Sequence, residues 1–110
     1  MEGVVAGEII VLITAASKEE AEKIGMALVN EHVAACVNIV TEVRSLFFWN
    51  GTTHDERETL LICKSKEQLL ELLITKVKAL HSYSVPEILA LPIIGGSTDY
   101  LMWLQASTHL

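Results

Sequence analysis

Hydrophobic and polar residues in the first third of the chain predict a strand followed by a helix. Residues 9–14 (IIVLIT) are continuously apolar and mostly β-branched, as in a strand that is buried on both faces. Ser17 and Glu20 form a capping box, which opens a helix whose apolar residues recur at helical spacing to about His32. Glycine inside a helix costs about 1 kcal/mol relative to alanine, so we expect Gly25 to allow a close approach of another element.

Period-two alternation then predicts a β-hairpin, and a second helix follows it. Residues 33–49 are apolar at most odd positions. The Asn-Gly pair at 50–51 is the strongest short signal for a hairpin turn, and we predict the return strand over about 59–64. Residues 65–68 (SKEQ) predict a second capping box, which opens a helix over about 69–80.

The C-terminal part of the chain predicts a last strand and a short helix. An apolar run at 88–94 follows the turn at 81–87 (HSYSVPE), two glycines at 95–96 end it, and Ser97 or Thr98 caps the helix. The order is therefore β-α-β-β-α-β plus a short C-terminal helix. Right-handed crossovers predict an α+β, ferredoxin-like sandwich with both helices on one face of the sheet. The other face then needs another cover.

The strand before the hairpin is too long for one compact domain. From Ala35 to Trp49 it would extend about 50 Å, whereas a domain of this size has a radius of gyration of about 13 Å. Either the strand bends at a bulge or the hairpin reaches onto a neighbouring subunit. The apolar tip at 46–49 (LFFW) favours the neighbour, because an exposed arm of this kind is an aggregation risk.

Composition narrows the classes of function. The chain is 51% hydrophobic with only 5% aromatic residues, so we expect one domain over 1–110 whose aliphatic surplus ends in a subunit interface. A net charge of −6 without a basic cluster argues against nucleic acid. The apolar runs are too short to span a bilayer, and the N-terminus lacks the basic region of a signal peptide, so we expect a cytoplasmic protein with two reduced cysteines.

Enzyme motifs are missing from the sequence. It has no Ser-His-Asp order, no nucleophile elbow and no glycine-rich phosphate loop. We therefore expect a protein that binds rather than catalyses.

The turn at 81–87 carries the candidate chemistry. His81, Tyr83 and Glu87 lie within seven residues, where the backbone changes direction before an apolar strand. His81 and Glu87 flank the turn and can face each other as metal ligands, and an imidazole favours copper or zinc. Alternatively, His81 caps the last carbonyls of the preceding helix. Cys36 is a further candidate ligand, whereas we expect Cys63 to be a small hydrophobic residue, as most cysteines in apolar strands are.

Together these segments resemble the CutA divalent-cation tolerance family. The matching pieces run in family order over about residues 9–106, and the most specific are AACVNI (34–39) and the HSYSVPE turn. The resemblance implies a homotrimer of ferredoxin-like subunits packed through their sheets and long hairpins, an assembly similar to the trimeric PII signalling proteins. It also implies a non-enzymatic role in tolerance of divalent metals, copper above all, with the metal not required for folding.

Carried over residue by residue, the resemblance places the histidine of the family's His-Pro-Tyr turn on His81, its tyrosine on Tyr83 and its glutamate on Glu87. The family's AAC cysteine falls on Cys36. We expect the first three to converge at a solvent-accessible cleft near a subunit boundary, with Cys36 nearby. Copper, or another divalent metal, is the expected ligand.

Two departures from the family pattern change these expectations. Ser82 replaces the usual proline, so we expect a less rigid turn. Ile13 occupies a position where some bacterial members have a cysteine implicated in copper binding, so we expect weaker binding of Cu(I). The alternative function is a PII-like signalling or scaffold module that binds a small ligand or a protein partner between subunits.

Overall fold

The computed structural model describes residues 7–110 and has the predicted order of elements. In chain order these are β1 (Glu8–Ala15), α1 (Lys18–Asn30), β2 (Cys36–Trp49), β3 (Thr52–Lys66), a 3-10 turn (Glu67–Leu69), α2 (Leu70–Leu80), β4 (Ile88–Pro92) and α3 (Thr98–Ser107). The strands form one antiparallel sheet in the order β2-β3-β1-β4. The predicted α+β, ferredoxin-like fold is confirmed. Within 7–110, no helix is long and apolar enough to cross a membrane.

The core lies between the two long helices and one face of the sheet. Alternate residues of the central strand β1 are buried there, as the period of a strand requires. Side chains from α1 and α2 cover them at helical spacing, and the largest of these are Ile24, Leu28, Leu73 and Val77. Ile10 and Leu12 point to the opposite face and are only half-buried. The expected burial of β1 on both faces is therefore complete on one face only.

Helix α1 begins as predicted and approaches the sheet at Gly25. The N–H of Glu20 donates to Ser17 Oγ (3.1 Å), while Glu20 Oε1 accepts from the N–H of Ala16 (3.2 Å). A Cβ atom on Gly25 would lie 3.2 Å from Cγ1 of Val37. The close approach predicted at this glycine is confirmed, and β2 is the element that approaches.

The second capping box is wrong, because its serine belongs to a strand. Ser65 pairs with Ile9 in the β1–β3 ladder, and its buried hydroxyl donates to the carbonyl oxygen of Val33 (2.6 Å). The following turn begins after Lys66 without a side-chain cap. At α3, Ser97 occupies the cap position, but its side chain makes no capping bond either.

Two predicted strand ends are also wrong. β3 begins at Thr52 rather than near 59, because its polar first half pairs with β2 beyond the core. β4 ends at Pro92, two residues before the predicted end. A proline has no N–H to continue a ladder.

The hairpin both bends and projects from the domain. Asn50 (φ 50°) and Gly51 (φ 80°) are left-handed, as a tight hairpin turn of the primed type requires. The ladder register shifts between Val40 and Val43, where Glu42 is also left-handed (φ 60°). The molecule still measures 48 × 26 × 22 Å. Docking of the hairpin on a neighbour stays a prediction.

The sheet face opposite α1 and α2, which we call the open face, is apolar and incompletely covered. Leu89 and Leu91 of β4 are 56% and 49% exposed there. Helix α3 covers only one end of this face, where Gln105 bonds Glu8 and Lys66.

Candidate functional site

His81 is buried behind the turn and fixes it to the end of β1. Its Nε2 lies 2.7 Å from the carbonyl oxygen of Thr14, and its Nδ1 accepts the N–H of Tyr83 (3.0 Å). The carbonyl needs a donor and the N–H needs an acceptor, so the ring is neutral with its proton on Nε2. Both nitrogens are therefore occupied. The alternative in which the ring caps the preceding helix is not what the structure shows, since the ring bonds β1.

Glu20 ties the start of α1 to the same turn. Its Oε2 accepts the backbone N–H of Ser82 (2.9 Å). Partial burial raises the pKa of Glu20, but hydrogen bonds from Ser82 and Ala16 lower it by more, so the net shift is downward. A proline at position 82 has no N–H for this bond. The replacement of the family's proline therefore adds a specific contact, which the sequence did not reveal.

Tyr83 and two carboxylates form the polar part of the site. The Tyr83 hydroxyl donates to Oε2 of Glu58 (2.8 Å), and its ring leans on His81 with centroids 4.8 Å apart. Burial raises the pKa of Tyr83, and the bond to Glu58 raises it further. Burial also raises the pKa of Glu87, with a smaller contribution from the charge of Glu58. The negative charge of Glu58 therefore acts on Glu87.

These groups line a groove on the open face, between the hairpin and the turn. Its volume is about 770 Å³, within the range of about 300–1,000 Å³ that is typical of small-ligand sites. The hairpin contributes Phe47 and Trp49, and His54 stacks on Phe47 with ring centroids 5.1 Å apart. Tyr83 and Glu87 lie on the other wall, so the structure brings them together, while His81 supports them from behind.

The sequence interpretation missed Glu58. The predicted return strand began at residue 59, so Glu58 fell outside it. In the observed register Glu58 pairs with Val43, and alternation along β3 places it on the same face as Glu56 and His54. Extending the ladder back from the 50–51 turn would have placed this acid on the open face.

Comparison with known proteins shows which family the chain belongs to. The family model for the CutA1 divalent ion tolerance protein matches residues 9–107. The chain belongs to this family. It is 48% identical over 101 residues to the divalent-cation tolerance protein CutA of Thermus thermophilus, covering 92% of this chain and 98% of the relative.

Solved structures of CutA1 proteins share the fold. The Thermus thermophilus divalent cation tolerance protein superposes with a TM-score of 0.91 at 47% identity, covering 93% of this chain and 99% of that one. CutA1 from Oryza sativa superposes with a TM-score of 0.92 at 43% identity, covering 94% and 95%. The chain spans only 57% and 56% of the length of the chloroplastic CutA relatives from Oryza sativa and Arabidopsis thaliana.

Within this CutA1 chain, Cys36 lies away from the turn. Cys36 pairs with Lys64, which pairs with Ile10, whereas His81 bonds Thr14. That places Cys36 about 13 Å along the strands and about 10 Å across them. The expectation that Cys36 lies near the turn is therefore wrong for a single chain, because the sheet register separates them.

Cys63 and Ile13, the second of which departs from the family pattern, are both core residues. Burial raises the pKa of Cys63 to about 12, and it packs as a small hydrophobic residue, as predicted. Ile13 is also fully buried in the core. Within 7–110, no group of three or more histidine, cysteine or acidic side chains is arranged to hold a metal ion. A single chain thus offers an incomplete ligand set.

Proposed function

We propose that this CutA1 protein is a non-enzymatic, homotrimeric protein of divalent-metal tolerance that binds a divalent cation in the groove. The observation that carries the proposal is the placement of Glu87 and Glu58, two carboxylates that line the same groove on the open face. A cation between them offsets their mutual repulsion. The membership of the chain in a divalent ion tolerance family supports this assignment.

The donor atoms fit a divalent cation, and they fit some metals better than others. Carboxylate oxygens suit Mg²⁺, Ca²⁺ and Mn²⁺, and copper or zinc prefers an added imidazole. Glu87 and Glu58 would hold the ion, with water or a second subunit completing its shell. Ligation by His81 stays part of the proposal for copper, and it requires the ring to exchange one of its two hydrogen bonds. Otherwise His81 positions Tyr83.

Cys36 takes part in this proposal only through a neighbouring subunit. Its Sγ lies 3.9 Å from Lys64 Nζ, at the opposite end of the open face from the turn. A second copy packed on that face is the arrangement that would bring this thiol to another chain's groove.

A site-resolved metal titration tests the cation site. We expect Zn²⁺ at pH 7.5 to shift the NMR signals of the Tyr83 ring, and we expect Glu87→Gln to weaken this binding at least tenfold. Glu22→Gln, an exposed acid of α1, is the matched control and should bind like the wild type. Equal titration of the wild type and Glu87→Gln removes Glu87 from the site.

A copper titration separates the two roles of His81. With Cu(I), which is diamagnetic, a ligating His81 shifts its own ring signals and His81→Ala abolishes the shift at Tyr83. A His81 that only positions Tyr83 keeps the wild-type hydrogen bonds, and its own ring signals do not follow the titration.

Exposed apolar side chains on the open face and the hairpin support the proposed trimer. Phe47 and Trp49 near the tip are 40% and 49% exposed, and the strand register places them on the same face of the sheet as the exposed Leu89 and Leu91. Contiguous apolar surface of this kind marks association in soluble proteins. Two or more copies of the chain could cover this apolar surface, each packing on a neighbour's open face. The resemblance to the CutA family favours three copies.

A PII-like signalling or scaffold module is the second candidate function. The groove favours it, since its size suits a small organic ligand and Arg57 adds a cationic side chain to the aromatic wall. This candidate requires no metal, so absence of any metal-induced shift at Tyr83 would support it. For either function we propose the cytoplasm as the compartment. Cys36 and Cys63 occur as free thiols.

A further inference from the structure

We propose that His32 and His109 form a second divalent-metal site, separate from the groove, for ions that prefer imidazole, such as Zn²⁺, Cu²⁺ or Ni²⁺. The two rings are stacked with their centroids 4.5 Å apart and their planes at 21°. Imidazole is the side chain most suited to these three metals.

The backbones on both sides of the pair are anchored. His32 is left-handed (φ 61°) just after α1, and the next N–H groups, those of Val33 and Ala34, donate to the carbonyl of Leu28. The N–H of His109 donates to the carbonyl oxygen of His32 (3.0 Å). Beside it, Thr108 is buried and its hydroxyl donates to Leu104 (2.9 Å). The spacing between the histidines is therefore set by the fold.

That spacing matches a metal chelate. Two imidazoles bound side by side through bonds of about 2.0–2.1 Å have ring centres about 4.5–5 Å apart. The pair already has a separation of 4.5 Å. Coordination requires the rings to turn so that one nitrogen of each meets the ion, without movement of the backbone. The side-chain hydrogen bond of His109, between Nδ1 and the carbonyl oxygen of Leu110 (3.2 Å), is exposed to solvent and is easily exchanged.

The surroundings of the pair favour a cation. The partial negative charge at the C-terminal end of a helix attracts positive charge, and His32 follows α1 directly. The adjacent Glu31 is paired by Lys76, so these two side chains add no net charge beside the histidines. Both histidines are exposed, so water can complete the metal's coordination shell. The pair and the groove are at opposite ends of α1, a helix of 13 residues and therefore about 20 Å long.

A bound ion would join the C-terminal segment to α1. At present one backbone hydrogen bond and the ring stack link the two segments. Two metal–nitrogen bonds would hold the same contact closed, so the His109 amide should exchange its hydrogen more slowly when metal is bound.

A Zn²⁺ titration of the full chain, followed by the NMR signals of the four histidine rings, tests the site. We expect the His32 and His109 rings to shift together and saturate at one ion per chain. His32→Asn, which keeps a residue that tolerates the left-handed backbone, and His109→Gln should each weaken this binding at least tenfold. His54→Gln, a hairpin histidine, is the matched control and should leave the binding unchanged.

Amide exchange supplies the second readout. Zn²⁺ should slow exchange at the His109 amide at least fivefold in the wild type and in Glu87→Gln, but not in His32→Asn. The groove variant keeps the two sites distinguishable, because loss of the groove site leaves the histidine shifts intact. The proposal is overturned if both pair variants titrate like the wild type, or if Zn²⁺ shifts only His54 or His81.

Discussion

Ser82 shows how one residue changes the chemistry of the turn. Its backbone N–H gives Glu20 a second hydrogen bond and thereby joins the turn to the start of α1. We expect Ser82→Pro to lower the free energy of unfolding by about 1–2 kcal/mol per subunit. Loss of a bond to a charged group costs about 1.5–3 kcal/mol, and the stiffer unfolded chain offsets about 0.4–1 kcal/mol.

Denaturant unfolding at one fixed protein concentration measures this difference. Ser82→Ala is the control, since it keeps the N–H and should cost less. The lowered pKa of Glu20 means that its stabilising contribution is present above the pKa of an unfolded glutamate, about 4.3, and is lost as the pH falls through the folded value. The Ser82→Pro penalty should therefore shrink below pH 4. An equal penalty at pH 7 and pH 3 would contradict the role of Glu20.

Glu87 should show the opposite dependence on pH. Its pKa is raised, so the folded state holds the proton more tightly and folding is favoured below the unfolded pKa of about 4.3. That contribution is lost as the pH rises through the folded value. We expect Glu87→Gln to unfold at a higher temperature than the wild type at pH 7, with the difference vanishing near pH 4. A Glu87→Gln variant that is less stable at pH 7 would show that the ionised carboxylate makes favourable contacts.

At the scale of elements, the sequence predicted the caps, turns and helix faces that depend on residues close together in the chain. The α1 cap, the 50–51 turn and the apolar face of α2 all follow from residues within a few positions of each other. The second capping box failed because Ser65 satisfies Val33, a partner 32 residues away. Its local pattern was sound, but pairing with β1 extended the strand through it.

Gly25 offers a test of how α1 and β2 fit together. Alanine in a helix is favoured by about 1 kcal/mol over glycine, but the new Cβ would lie 3.2 Å from Val37 Cγ1. Val37 is β-branched and has few alternative rotamers, and overpacking costs about 1–3 kcal/mol. We expect Gly25→Ala to destabilise the protein by about 1 kcal/mol. In a Val37→Ala background the same change should stabilise it, and chemical denaturation of the four proteins of this cycle gives both values.

At the scale of the molecule, the sequence predicted which turn carries the candidate site, but it did not predict the contacts within that site. The bond between His81 and Thr14 joins residues 67 positions apart, and the bond between Tyr83 and Glu58 joins residues 25 apart. Such partners depend on strand register, which no local pattern contains. The sequence could therefore name His81, Tyr83 and Glu87, but not that the ring of His81 is already bonded on both sides.

The hairpin tip connects the single chain to its proposed assembly. Trp49 is 49% exposed in one chain, so its removal would cost little if the hairpin were free. Truncating a tryptophan that an interface buries costs roughly 3–5 kcal/mol. We expect Trp49→Ala to fall in this higher range per subunit and to shift the protein toward smaller species. Thr53→Ala, an exposed hairpin position, is the control and should have little effect.

Light scattering coupled to size exclusion should give three times the 12.1-kDa chain mass for the wild type. Unfolding should then depend on protein concentration, because folding and association are linked when each open face needs a neighbour. A stable monomer at micromolar concentration, or a Trp49→Ala variant with unchanged melting temperature and mass, would mean that the hairpin does not dock. In that case the apolar tip and the open face would be bare surface, and the groove between the hairpin and the turn would have to bind its ligand without a second subunit.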